Sequence, residues 1–352
     1  MHDDQTLPGG DYVENASVAP ALAMRQLLNG YRVTQILSVA ATLGLADLLA
    51  DGPRTADELA VAAGTQPDAL YRILRALASL GVFAETATPR QFTLTPLAAV
   101  LRTEHPESQR DFAIFAGGEP YRAWAELLSS AQTGTAAFER VFGMERFVYL
   151  AQHPEESAIF DRAMSAGSRM VVAAIASAYD FAAAGTVVDV GGGRGTLIAA
   201  ILRAHPTARG ILFDQAHVVA GAEPVLAEAG VADRCERVGG DFLATVPEGG
   251  GVYLLRRIIH DWDDNRAIAI LRNCARAMAP GARVLVAETI IPQGNEPSWA
   301  KFLDLQMLVM TGGRERTAEE YRGLFAAAGL VLTRVIPAGP EERLIEGERA
   351  PE

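Results

Sequence analysis

The chain has 352 residues, 49% of them hydrophobic and 21% charged, with a formal net charge of −12. That length exceeds one ordinary core and predicts two domains of a globular protein, and the acidity argues against a polyanionic partner such as nucleic acid or an anionic membrane surface. No apolar run is long enough to span a bilayer, the N-terminus lacks a signal-peptide pattern, and Cys235 and Cys274 show neither metal nor redox spacing, so a reducing cytoplasm is expected.

In chain order, residues 1–16 are polar and glycine-containing and read as a flexible tail. From Ser17 to Ala50, Leu22, Met24, Leu27, Leu28, Ile36, Leu37, Ala40 and Leu43 recur near the helical period. Thr55 with Glu58 forms a capping box, Gly64 is a helix stop, and Pro67 opens the next helix. Short strand signals at Val82–Glu85 and Gln91–Leu94 then complete a winged helix over residues 17–105. The second helix offers Arg72 and Arg75 but also Asp68, with Asp51, Asp57, Glu58 and Glu85 nearby. No basic stripe is present to release counterions from phosphates, so dimerisation rather than DNA binding is expected.

Residues 106–180 read as a helical connector that contributes to a substrate pocket, and residues 181–352 alternate strand and helix. The strands are expected at Val187–Val190, Gly210–Phe213, Gly251–Leu255, Arg283–Glu288 and Leu330–Val335. The helices are expected at Thr196–Ala204, Glu223–Ala229, Asn265–Met278 and Thr317–Ala328. This is the pattern of a parallel, doubly wound α/β sheet.

The segment Thr186-Val-Val-Asp-Val-Gly-Gly-Gly-Arg-Gly-Thr-Leu-Ile198 joins a buried strand to a helix through a glycine turn. Such a turn builds a nucleotide-sized pocket at the carboxyl end of a parallel sheet. The dinucleotide fingerprint fails in both registers, because Thr196 or Ile198 occupies its last glycine position. The pattern is instead Asp-x-Gly-x-Gly-x-Gly, with Asp189 ahead of Gly191 and Gly193. An anion there repels a pyrophosphate and suits the ammonium of S-adenosylmethionine (SAM). Asp214, at the end of the next strand, is placed to accept ribose hydroxyls. In Gly239-Gly-Asp-Phe242, Asp241 can accept from the adenine amino group and Phe242 can pack on the ring; the alternatives are a turn cap and ordinary core.

These features, with Arg256-Arg-Ile-Ile-His-Asp-Trp262 and Gly312-Gly-Arg-Glu-Arg-Thr317, resemble the small-molecule O-methyltransferases of the caffeic acid type. The similarity is greatest to the bacterial branch that tailors phenazines, polyketides and other antibiotics, and it covers the chain from about residue 20. The resemblance implies a Rossmann-like class I methyltransferase domain after an α-helical winged-helix dimerisation domain, and a homodimer. It also implies that Trp262 packs on adenine, that Ser168 helps hold the methionine carboxylate, and that Arg256 stands where the family often has lysine near the cofactor.

A phenol, with a pKa of about 10, is a poor nucleophile at neutral pH unless a base removes its proton. His260, expected at the pocket rim after the strand Gly251–Leu255, suits that task. Glu288 and Glu315 resemble the family's acids that bracket the histidine; Glu315 can alternatively pair with Arg314 or Arg316, and Glu288 can be a strand-end surface acid. Asp261 reads as a loop-orienting residue. Met164, Met307 and Met310 fall where the family lines its acceptor pocket, Asp304 is a candidate acceptor contact, and Phe160, Trp124 and Phe112 are candidate walls. No His/Asp/Glu cluster has metal spacing, so metal-independent catalysis is expected. Two rival readings are a methyltransferase-fold relative that uses SAM without methyl transfer, in hydroxylation or decarboxylation, and a winged-helix regulator that senses a ligand.

Overall fold

The computed structural model describes residues 19–166, 169–339 and 341–351. The segment expected to be a flexible tail lies outside the described residues, as does Ser168. The chain divides into two compact units: the first runs to Tyr121 and includes Glu155–Gly167, and the second comprises Arg122–Pro154 and Ser168 onward.

In the first unit the helical run breaks into Pro20–Leu28, Gly30–Thr42 and Leu45–Leu48. Gly44, at φ 64°, makes the left-handed turn before the last of these. A two-residue strand β1 (Arg54–Thr55), absent from the expectation, pairs with β3 (Gln91–Leu94), which also pairs with β2 (Phe83–Glu85). Between β1 and β2 lie helices Ala56–Ala63 and Pro67–Ser79. The capping box forms as expected, Thr55 Oγ1 accepting from the Glu58 N–H while Glu58 accepts from the Thr55 N–H. Leu70, Leu74 and Leu77 turn inward onto Leu59, Phe83 and Phe92, closing a small core.

The second unit is built on a seven-stranded sheet in the order β6-β5-β4-β7-β8-β10-β9. Its strands are β4 (Thr186–Val190), β5 (Arg209–Asp214), β6 (Cys235–Gly239), β7 (Val252–Arg256), β8 (Arg283–Thr289), β9 (Leu330–Pro337) and β10 (Glu342–Arg349). Strands β6, β5, β4, β7 and β8 are parallel neighbours. To the five expected strands the structure adds β6 and β10, and β10 runs antiparallel to both β8 and β9. The reason is connection length, since four residues between β9 and β10 allow only a hairpin and never a parallel crossover.

Both faces of the sheet are buried, so successive side chains serve different cores. Val187, Leu254 and Leu285 face helix Thr196–Ala204, whereas Val188, Tyr253 and Val284 face helices Asp264–Ala277 and Ala318–Ala327. Cys235 and Cys274 are buried free thiols, one in each core. The carboxyl ends of β4, β5, β7 and β8 converge at the order reversal around β4, the position where open α/β sheets leave a crevice.

Thr317 caps helix Ala318–Ala327 through a second capping box with Glu320. Thr317→Ala removes an acceptor for the Glu320 N–H and is expected to lower stability by about 1 kcal/mol. Urea unfolding measures this; an unchanged midpoint contradicts the cap.

Candidate active site

The glycine loop begins where β4 ends. Gly191 and Gly193 have φ of 70° and 59°, a region that costs other residues strain. At Gly191 space is a second constraint, because a Cβ there falls 2.4 Å from Ile258 Cδ1. The Gly193 N–H donates to Asp214 Oδ2 at 2.8 Å, so the end of β5 holds the loop tip, and Asp214 Oδ1 accepts from the Gln215 N–H at 2.6 Å. Asp189 lies beneath the loop, 1% exposed, and its Oδ2 makes no hydrogen bond. Burial, reinforced by the Asp214 carboxylate, pushes its pKa up to about 7 against the pull of Arg256.

On the far side of the loop stands an aromatic wall. Trp262 meets Phe242 edge-on at 6.0 Å and stacks on Phe147 at 6.0 Å. Asn273 fixes the Phe242 turn by donating to the carbonyls of Phe242 and Leu243. Asp241 is exposed and its Oδ1 accepts from the Leu243 N–H at 2.8 Å, so this carboxylate caps its own turn. Arg256 is paired with Glu342 of β10, Nε to Oε1 at 3.3 Å. Arg256 is thus matched by an acid from the hairpin strand.

His260 lies in a 3-10 turn, Ile259–Asp261, entered through Arg257 at φ 53°. A left-handed arginine costs of order 1 kcal/mol and is held by its surroundings. Here the Arg257 N–H donates to Ala287 O at 3.2 Å and its guanidinium lies 3.4 Å from Glu342. His260 is 6% exposed, inside the protein rather than at the expected rim, because the turn folds inward against the segment Gly313–Arg316. That approach is possible because residue 313 is glycine: a Cβ there falls 2.0 Å from His260 O.

His260 Nδ1 is 2.5 Å from Glu315 Oε1, and Asp261 Oδ2 is 4.0 Å from Nε2. Glu315 therefore pairs with the histidine, not with Arg314 or Arg316. Its backbone N–H donates to Asp304 Oδ1 at 2.9 Å, which makes Asp304 an anchor of the Glu315 segment. Glu288 is fully buried and hydrogen-bonds the main chain of the turn and Tyr321. Its Oε1 accepts from the N–H groups of Ile258 and His260, both at 3.1 Å, and its Oε2 accepts from the Tyr321 hydroxyl.

Burial alone depresses the His260 pKa; Asp261, then Glu315 and Glu288, override it and raise it to about 9. Because this lies above the ordinary 6.5, the site contributes stability that is complete below pH 6.5 and is lost as pH rises through about 9. Glu288 rises to about 7, burial outweighing the His260 charge.

Met307 and Met310 are buried on helix Ala300–Met310, and the Trp124 indole N–H donates to Gln306 on the same helix. Met310 and Thr311 line a shallow recess with Arg146, Phe147, Asp261 and Trp262. Phe160 and Met164 belong to helix Pro154–Ala166, Phe160 packing on Phe115 at 5.9 Å, and Phe112 stands beside Phe115. The described residues contain no group of three metal-ligating side chains. Sequence reasoning missed Arg316, Tyr321 and Gln306. Arg316 was visible only as a neighbour of Glu315, and nothing in the local pattern marks the other two.

The model of the O-methyltransferase domain matches residues 124–331, and that of the O-methyltransferase dimerisation domain matches residues 25–104. Phenazine O-methyltransferase PhzM of Lysobacter antibioticus is 51% identical over 91% of this chain and 94% of its own. The crystal structure of LaPhzM superposes with a TM-score of 0.91 at 50% identity, covering 94% of this chain and 100% of that one. The neocarzinostatin-pathway enzyme NcsB1, solved with SAM and 2-hydroxy-5-methyl naphthoic acid, gives a TM-score of 0.81 at 36% identity over 90% and 96% of the chains. Phenazine-1-carboxylate N-methyltransferase of Pseudomonas aeruginosa is 35% identical over 96% of this chain and 100% of its own, so the relatives act on nitrogen as well as oxygen. The fold, the two matched domains and these relatives together place the chain in the O-methyltransferase family, with its dimerisation domain followed by its catalytic domain.

Proposed function

We propose that the protein transfers the methyl group of SAM to a phenolic hydroxyl of a polycyclic aromatic secondary metabolite, such as a phenazine or polyketide, with His260 as general base. The observation that carries this reading is the 2.5 Å contact of His260 Nδ1 with Glu315, which leaves Nε2 as the ring nitrogen that exchanges the proton. Bound SAM supplies the electrophilic methyl group and its own leaving group. Around it, Asp189 provides an incompletely satisfied buried carboxylate for an ammonium, Asp214 an acid for ribose, and Phe242 and Trp262 a wall for adenine. We assign Arg256 to the electrostatics of that pocket, Asp241 to its turn, and Met307 and Met310 to the acceptor side. Trp124 braces helix Ala300–Met310 through Gln306.

Glu315 holds the ring tautomer and stabilises the imidazolium, a role that a carboxylate at 2.5 Å can fill. Glu288 holds the backbone on which the ring is mounted. A base near pKa 9 is matched to a phenol near 10, so the proton transfer is almost level in free energy. The cost is that only about one imidazole in a hundred is neutral at pH 7 in the free protein.

The first unit leaves Leu22, Met24, Leu27, Leu28 and Tyr31 more than half exposed on its two N-terminal helices. With the dimerisation-domain match, this apolar band supports a homodimer formed through that unit.

His260→Ala is expected to lower kcat by about 10²-fold or more while the affinity for S-adenosylhomocysteine stays within a few fold; retained turnover removes His260 as base. In wild type, kcat/KM should climb with pH and level off near the His260 value of about 9, and a profile flat from pH 6 to pH 10 contradicts a base of that pKa. Replacing Leu27 and Leu28 together by Asp should shift sedimentation from dimer to monomer. A dimer unaffected by both charges rules out this face.

A further inference from the structure

We propose that Arg316 is a positioning residue for the methyl transfer: one buried guanidinium grips the turn that carries His260 at both of its ends. Arg316 is 0% exposed, and its donors are distributed over that turn. Nη1 donates to Ile259 O at 3.1 Å, just before the histidine, and to Arg314 O at 3.2 Å. Nη2 donates to Trp262 O at 2.9 Å, just after it. Nε and Nη2 both reach Asp264 Oδ1, at 3.1 and 2.8 Å, at the start of helix Asp264–Ala277.

Three main-chain carbonyls and a carboxylate thereby share one planar cation. A guanidinium has five donors in a fixed fork, and a lysine ammonium has three on a flexible stem, so only arginine meets all four acceptors at once. The segment bearing Arg316 is itself fixed, because Ile290 at the end of β8 forms a bridge with Arg316 and the Ile291 N–H donates to Arg316 O at 3.1 Å.

Neighbouring side chains of one segment therefore hold one turn in two ways. Glu315 takes the imidazole, and Arg316 takes the main chain to which the imidazole is attached. Trp262 is held by the same fork, so base and aromatic wall share a mount. A misplacement of about 1 Å costs on the order of 10²-fold in such reactions, which is the scale on which this grip matters.

The proposal rests on His260 being the base, and the test separates the two. In the full-length protein at saturating SAM and acceptor, Arg316→Gln is expected to lower kcat by about 10²-fold and Arg316→Lys by about 10-fold, with acceptor KM changing less than about threefold. In the His260→Ala background, Arg316→Gln should lower kcat no further, because the group it positions is gone. Loss that multiplies in the double variant assigns Arg316 a purely structural role and overturns the proposal. Near-wild-type kcat in Arg316→Gln or Arg316→Lys also overturns it. Should Arg316→Gln fail to fold, Asp264→Asn decides alongside Arg316→Lys, since the Asp264 side chain is 53% exposed. Both are then expected to lower kcat by at least about threefold, and unchanged kcat in either rejects the role. Full turnover in His260→Ala alone instead counts against the base assignment.

Discussion

Everything at this site depends on a buried hydrogen bond between residues far apart in the chain, His260 Nδ1 to Glu315 Oε1. Neither group is comfortable alone: burial disfavours the imidazolium, and a lone buried carboxylate costs several kcal/mol in solvation. Together each offsets the other's desolvation, and Asp261 and Glu288 tip the balance to a protonated ring in the free protein. Breaking such a pair from either side strands a charge, so the fold has to deliver both partners accurately. It does so through β7 and β8: the first leads into the His260 turn, and the second carries near its end Glu288, which receives that turn's amides. Asp304 and Arg316 fix the opposite side, each holding a different stretch of main chain.

The cofactor side is built on the same principle of arranged but incompletely satisfied charge. Asp189 Oδ2 has no hydrogen bond beneath the glycine loop, and Glu315 Oε2 has none beside the base. Buried oxygens left this way cost about 1–3 kcal/mol each. The left-handed Arg257 adds its own strain next to the base. Of these, Asp189 and Arg257 lie at the carboxyl ends of β4 and β7, and Glu315 lies on the segment that faces them across His260.

What could be read from the sequence followed periodicity and local chemistry. β4, β5, β7, β8 and β9 announced themselves as β-branched or apolar runs, and the capping box at Thr55 lies within three residues of its partner. β6 and β10 escaped because Cys-Glu-Arg-Val-Gly and Glu-Arg-Leu-Ile-Glu-Gly-Glu-Arg carry charges through the strand, and their burial is set by neighbours, not by their own pattern. His260, Glu315 and the glycine loop were recognisable from motif resemblance. The roles of Glu288 and Asp304 were not, because a carboxylate that accepts from main-chain amides leaves no trace in residue type. The role of Arg316 was hidden for a similar reason: three of its partners are backbone carbonyls, which any sequence supplies.

Passage of methyl from SAM to an aromatic oxygen is the reaction proposed for this site. It is tested most directly by incubating the protein with SAM carrying a 13C methyl group and a panel of hydroxylated polycyclic aromatics, then locating the label by NMR. A labelled methoxy carbon on an aromatic ring is expected, formed one for one with S-adenosylhomocysteine. Label appearing on nitrogen or carbon, or SAM left unconsumed across the whole panel, would contradict it.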